Sequence, residues 1–202
     1  VRIPRLAVPR VTCLVGDHDD LDLLPALAEA GVDGFQVRAP GADTRTLIAL
    51  TCRVLAAVAD TDARVLVNDR VDVAIAAGAH GAHLGSNDLP MSAARRLAPD
   101  LLLGATCRDR SQATMARAEG ADYAGFGPVH ATTSKAGLPA PLGWRAVRAA
   151  STVLPLVAIG GITADNAAQA RGTGAHGVAV IGGIWRQPDP VQAAKELVAA
   201  VA

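Results

Sequence analysis

Short apolar runs alternate along the chain with longer stretches in which apolar residues return every three or four positions. The runs are VTCLVG (11–16), GVDGFQVR (31–38), RVLVND (64–69), GAHGAHLG (78–85), LLLGAT (101–106), GADYAGFG (120–127), PLVAIGG (155–161) and GAHGVAVI (174–181). Between them stand segments such as LDLLPALAEA (21–30), TRTLIALTCRVLAAVA (44–59) and PVQAAKELVAAVA (190–202), whose period predicts helices. Runs of Val, Leu, Ile and Ala without strict alternation predict parallel strands covered by helices on the outside.

Four of the runs are copies of one pattern, starting at Gly31, Gly78, Gly120 and Gly174. Each opens with a glycine that follows an Ala-rich helical stretch, as a helix C-cap does. Successive copies lie about two strand-plus-helix units apart. Eight strands with a two-unit repeat predict a (β/α)8 barrel, because alternate strands of that fold fill alternate layers of its core. No G-x-G-x-x-G follows the first strand, which disfavours an open doubly wound sheet. One barrel domain spanning 1–202 is expected, with its site at the C-terminal ends of the strands.

Composition narrows the picture. Half of the 202 residues are hydrophobic but only 2% are aromatic, so Ala, Val, Leu and Ile must build the core. Nineteen basic residues balance nineteen acidic ones, which argues against nucleic acid or a membrane surface as partner. No apolar run reaches the roughly 18 residues of a membrane span, and VRIPRLAVPR does not read as a signal peptide. Cys13, Cys52 and Cys107 are scattered and odd in number, which fits a reducing, cytoplasmic setting. Only two of the basic residues are Lys (Lys135 and Lys195), so a Lys in a loop draws notice.

Polar residues collect at the predicted strand ends. They are Gln36 and Arg38, Asn68 and Asp69, Asp88, Thr106, the loop GPVHATTSK (127–135), and the glycine pairs Gly160–Gly161 and Gly182–Gly183. Glycines after the last two strands let backbone N–H groups approach a phosphate; tight turns are the plainer reading. Asp69 and Asp88 follow neighbouring strands. Two carboxylates with few other ligands suit Mg²⁺, which takes its remaining ligands from water and phosphate. Helix capping is the alternative, by Asp69 or Asp72 after the third strand and by Asp88 before Pro90. Arg38 and Lys135 add two cations to the same face. His80 and His176 hold equivalent repeat positions near helix ends and read as structural or solvent-facing. His130 is a weaker acid/base candidate in the loop after the sixth strand, and Cys107 has no evident activating partner.

The stretches VNDRVDVAIAAGAHGAHLGSNDLP, GADYAGFGPVHATTSK, VAIGGITADN and GAHGVAVIGGI, in this order from about 31 to 184, resemble the signatures of the thiamine-phosphate synthases. That family is built on a (β/α)8 barrel. It joins hydroxymethylpyrimidine diphosphate to thiazole phosphate with Mg²⁺ and releases pyrophosphate. The resemblance implies that Asp69 and Asp88 hold the metal and that Arg38, Asn68 and Lys135 bind the diphosphate. It places Gln36 and Thr106 beside the pyrimidine, and Thr132, Ser134, Gly161, Ile181 and Gly182 on the thiazole phosphate. Phosphorylated small molecules are then the partners, and both a monomer and a homodimer remain open.

Several positions depart from the family pattern. Pro40 stands where the family has Lys, Gly182 where it has Ser, Thr106 where it has Ser, and TTSK where T-x-T-K is usual. Loss of one charge-assisted bond at position 40 costs about 1.5–3 kcal/mol. Two other readings share the barrel. A related thiazole tautomerase lacks the acid after Asn68 and carries His at the position of Pro128, so Asp69, Asp88 and Pro128 favour the synthase. A non-catalytic homologue that binds thiazole phosphate is the second.

Overall fold

Every repeat glycine takes the left-handed conformation that ends a helix: Gly31, Gly78, Gly120 and Gly174 have φ of 102°, 71°, 103° and 86°. In the computed structural model, which describes residues 7–134 and 137–202, a strand follows each of them. The strands are β1 (Val11–Val15), β2 (Gly34–Val37), β3 (Arg64–Asn68), β4 (Gly81–Leu84), β5 (Leu102–Cys107), β6 (Tyr123–Phe126), β7 (Leu156–Ile159) and β8 (Gly177–Val180). All pair in parallel in chain order, and β8 returns to β1 to close the barrel. Helices α1 (Leu24–Glu29), α2 (Thr44–Ala57), α3 (Val71–Ala77), α4 (Met91–Leu97), α5 (Arg110–Ala118), α6 (Gly143–Ala150) and α7 (Ala164–Gly172) connect the strands. A four-residue helix α8 (Gly182–Trp185) and α9 (Pro190–Val201) follow β8. The segment 21–30 begins as a 3-10 turn, Leu21–Leu23, with Pro25 just inside α1. Among the described residues no helix is long and apolar enough to cross a membrane.

Two cores follow from closure. The larger lies between strands and helices and includes Phe35, Val65, Leu103, Phe126, Leu156 and Leu197. A smaller one fills the barrel, where Leu14, Leu66, Leu102 and Val157 pack with Tyr123 and Ala179. Those four come from odd-numbered strands. Opposite them the even strands β2, β4 and β8 open on Gly34, Gly81 and Gly177. A Cβ at Gly81 would lie 2.2 Å from the Leu102 carbonyl oxygen, and one at Gly177 would lie 2.3 Å from that of Arg10. The two-strand repeat in the sequence is therefore the layering of the interior.

The third residue of each repeat has a definite task at the N-terminal end of the barrel. Asp33 accepts from the N–H of Val11 at 2.8 Å, and Asp122 from that of Leu103 at 2.8 Å. His80 Nδ1 accepts from Val65 N–H at 2.9 Å, and His176 Nε2 meets the Val8 carbonyl oxygen at 2.8 Å. In each case a side chain satisfies a backbone group near the start of an odd strand. His80 and His176 are thus structural. Asp122 also pairs with Arg95 at 2.6 Å, and that guanidinium donates to the carbonyls of Gly120, Pro99 and Leu101.

Candidate active site

Where the strands end, the barrel opens into a cavity of about 580 Å³. That is ample for small ligands bearing phosphate groups. Leu14, Val157, Ile159 and Ala179 form an apolar floor, and polar side chains ring the mouth. Of the residues singled out from sequence, Gln36, Arg38, Asn68, Thr106, Thr132, Ser134, Gly161, Ile181 and Gly182 line this space. Lys135 lies outside the described residues. Pro40 is exposed and does not line the cavity.

On one side of the mouth, Gln36 Nε2 donates to Asn68 Oδ1 at 2.7 Å. β2 and β3 are neighbours, and residues at successive inward positions on adjacent strands meet across the barrel mouth. The bond leaves the Gln36 oxygen and the Asn68 N–H₂ without partners among the described residues. Arg38 follows β2, is half-buried, and makes no side-chain ion pair with a described residue.

Asp69 and Asp88 sit at the ends of paired strands. Asp69 has φ of 65°, the one non-glycine residue among those described in the left-handed region. Such a conformation costs about 1–3 kcal/mol, although Asp tolerates it better than most residues, and it persists only where the surroundings enforce it. Here its N–H donates to the His83 carbonyl oxygen at 2.7 Å, which pins the turn to β4. Neither Asp69 nor Asp72 caps α3, whose N-cap is Arg70 with no side-chain cap bond. Arg70 is held by Asp72 and Thr44, and it does not line the cavity. Asp88 turns its carboxylate back onto the end of β4, accepting from Gly85 N–H at 2.6 Å, and Pro90 takes the N-cap of α4. Two hard oxygen donors therefore stand at the ends of adjoining strands. Among the described residues there is no cluster of three or more His, Cys, Asp or Glu able to hold a metal. The donor set suits a cation that needs only one or two protein carboxylates.

A buried network stands between these groups and the far side of the mouth. His83 Nε2 lies 3.0 Å from Thr106 Oγ1, and His83 Nδ1 lies 3.1 Å from the Tyr123 hydroxyl. Burial, reinforced by Asp122, pushes the Tyr123 phenol far above its ordinary range, so it stays protonated. Two glycines make room for this network. A Cβ on Gly104 would come within 2.1 Å of the Tyr123 ring, and one on Gly125 within 2.6 Å of His83 Cε1. Thr106 is thereby oriented by a histidine that sequence reasoning passed over. The available signal was a glycine inside each of two apolar strands, which marks close approach of another group.

Across the mouth, the loops after β6, β7 and β8 carry glycines and hydroxyls. Gly160 and Gly161 have φ of 98° and 66°, and a Cβ on either would strike the chain at Pro128 or at Ala131. Asn166 Nδ2 donates to the Gly161 carbonyl at 2.9 Å, and its Oδ1 accepts from Thr163, the N-cap of α7. Ser134 N–H donates to Thr132 Oγ1 at 3.2 Å. The first N–H groups of α8, those of Gly182 and Gly183, have no partner within that helix. His130 packs edge-on against Trp144 at 5.1 Å and does not line the cavity. Burial, then Asp109, pushes the Cys107 thiol up to about 11, which excludes it as a ready nucleophile.

Known proteins with this sequence and shape agree in kind. A family profile described as "Thiamine monophosphate synthase" matches residues 8–184. The thiamine-phosphate synthase of Chlorobium luteolum is 39% identical over 194 residues, spanning 94% of this chain and 92% of that protein. That of Salinispora tropica is 47% identical over 170 residues, 82% of each. Among solved structures, a thiamine phosphate pyrophosphorylase from Pyrococcus furiosus superposes with a TM-score of 0.86 at 32% identity, covering 95% of both chains. With the profile running over nearly all of the barrel and the relatives over most of their own lengths, the chain belongs to the thiamine monophosphate synthase family.

Proposed function

We propose that the cavity joins a hydroxymethylpyrimidine diphosphate to a thiazole phosphate, forming thiamine phosphate and releasing pyrophosphate. The observation that carries this reading is the placement of polar groups on two opposite sides of the mouth. Arg38 and Asn68 line it at the ends of β2 and β3, with Asp69 and Asp88 in the turns after β3 and β4 just outside the lining, and glycine- and hydroxyl-rich loops stand after β6–β8, opposite them in the ring.

In this reaction the bond from the pyrimidine's exocyclic carbon to the diphosphate oxygen breaks. The leaving group takes the electron pair, and the thiazole nitrogen captures the resonance-stabilised cation. The enzyme has to stabilise negative charge growing on the diphosphate and to keep water from the cation. Arg38 and Asn68 would serve the first need with N–H donors at the mouth, and the family resemblance adds the charge of Lys135 to them. Asp69 and Asp88 would hold Mg²⁺, which when bound neutralises charge on the leaving diphosphate. Gln36 and Thr106 flank the pyrimidine. Thr132, Ser134, Gly161, Ile181 and Gly182 hold the thiazole phosphate, and the apolar floor excludes water. No side chain acts as a nucleophile, in keeping with the buried Cys107.

The test is pyrophosphate release from the two substrates with and without Mg²⁺. Turnover that requires both substrates and the metal is the expected result. Thiazole phosphate bound without product at high enzyme concentration would replace this reading with a binding-only role. Isomerisation of a thiazole phosphate without pyrophosphate release would replace it with the tautomerase.

A further inference from the structure

α8 places a cation where the phosphate side of the cavity has none of its own among the described residues. Arg186 is four residues after Gly182, and its N–H bonds the Gly182 carbonyl. Residues four apart lie on one helix face, and helical side chains lean toward the N-terminus. The Arg186 side chain therefore runs back over Gly182. A Cβ at Gly182 would lie 3.1 Å from Arg186 Cδ and 3.5 Å from its Nε, so the absence of a side chain there leaves the track open. At the end of this track Arg186 Nη1 donates to Thr133 Oγ1 at 2.7 Å, between Thr132 and Ser134. Arg186 and Thr133 both line the cavity beside Gly161, Gly182 and Gly183. Among the described residues no carboxylate pairs with the guanidinium, and Thr133 takes one of its five N–H donors.

We infer that Arg186 binds the phosphate group of the thiazole substrate. From the end of α8 its bond to Thr133 holds the guanidinium on the phosphate side of the cavity. The inference rests on the phosphate-binding reading of the cavity. It adds a charged ligand to a subsite otherwise made of backbone N–H groups and hydroxyls. It also bears on Gly182, because a side chain there would press on the Arg186 stem, with Cβ 3.1 Å from Cδ. An Arg meets phosphate oxygens with two parallel N–H groups, which a hydroxyl cannot do.

The test compares the full chain with Arg186→Met, Arg186→Gln and Arg186→Lys. In steady-state kinetics with the diphosphate saturating, Arg186→Met is expected to raise KM for thiazole phosphate about ten- to a hundred-fold. KM for the diphosphate should stay unchanged, and unphosphorylated thiazole alcohol should lose nothing. Arg186→Lys should recover part of the loss. Arg186→Gln, which can keep the bond to Thr133 without the charge, should not. Calorimetry with inorganic phosphate reads the same contact without turnover and should show weaker binding in Arg186→Met. An active parent whose KM for thiazole phosphate is unaffected by Arg186→Met overturns the inference and leaves the synthase reading intact. If the parent shows no turnover, the synthase reading fails and phosphate affinity alone decides: unchanged affinity in Arg186→Met overturns the role of Arg186.

Discussion

The two ends of the barrel are built from similar side chains used in opposite ways. At the N-terminal end Asp33, His80, Asp122 and His176 each bond a backbone group of a neighbouring segment. Their polar atoms are engaged within the fold and face no cavity. At the C-terminal end Gln36, Asn68 and Thr106 bond one another or His83, but each pair leaves donors or acceptors over for a ligand. One end closes the strands into a ring. The other keeps a preorganised set of polar groups at the rim of an apolar hole, and there the chain carries its backbone strain, at Asp69. A fold of this kind separates stability from chemistry along its own axis.

The N-terminal end is most vulnerable at Asp122. Its side chain and that of Arg95 are 7% and 15% exposed, and Arg95 gathers carbonyls around it as well. Asp122→Ala strands a buried guanidinium and the Leu103 N–H together. Losing one member of such a pair is expected to destabilise by about 3–5 kcal/mol. Asp122→Asn, which can still accept from Leu103, should lose less. Urea unfolding gives both values. The kcat of the protein that remains folded should match the parent, because neither Asp122 nor Arg95 lines the cavity. A fall in kcat of the folded fraction would mean that the two ends are not separable.

Asp69→Gly tests the other end. Glycine adopts φ of 65° freely, so relief of strain offsets the contacts of the lost carboxylate, and stability should stay within about 1 kcal/mol of the parent. Turnover should fall by about 10²-fold or more, since the substitution removes one of two proposed metal ligands. Steady-state pyrophosphate release beside a urea titration checks both halves. A large loss of stability with activity retained would make Asp69 a structural turn residue.

Most of the barrel was legible because its strands and helix-ending glycines repeat, and repetition survives where single propensities mislead. The glycine starts at 31, 78, 120 and 174 recur as left-handed helix ends, and the odd–even layering of the interior follows from the same spacing. Residues just past strand ends were legible for a related reason, since a parallel barrel gathers them on one face. His83 was not. It lies inside a four-residue strand, and whether such a residue points inward depends on the stagger of the closed sheet, which no local pattern reveals. The conformation of Asp69 was hidden as well, because it comes from a bond to the next strand. Arg186 depended on a one-turn helix whose existence and direction are tertiary facts.

The smallest effect distinguishes members of the N-terminal set from one another. Burial, then the charge of Arg64, holds the His80 imidazole below its ordinary 6.5. Its Nδ1 accepts from Val65 N–H, a role that only the neutral ring can fill. The unfolded chain therefore binds this proton more readily than the folded one, and stability rises with pH across the window. The contribution is present in full above about 6.5 and is lost as pH falls through the lower folded value. His176 occupies the same repeat position but meets the Val8 carbonyl, which takes an N–H from either charge state of the ring, so protonation need not break that bond. Urea unfolding of the parent and of His80→Gln between about pH 5 and 8 should show the parent losing stability more steeply on the acid side. The difference is bounded at about 1.4 kcal/mol per pH unit for one proton. Parallel curves would mean that His80 keeps its bond to Val65 at acid pH, and the histidine version of the bottom staple would then be as indifferent to protons as the aspartate version is to the chemistry above it.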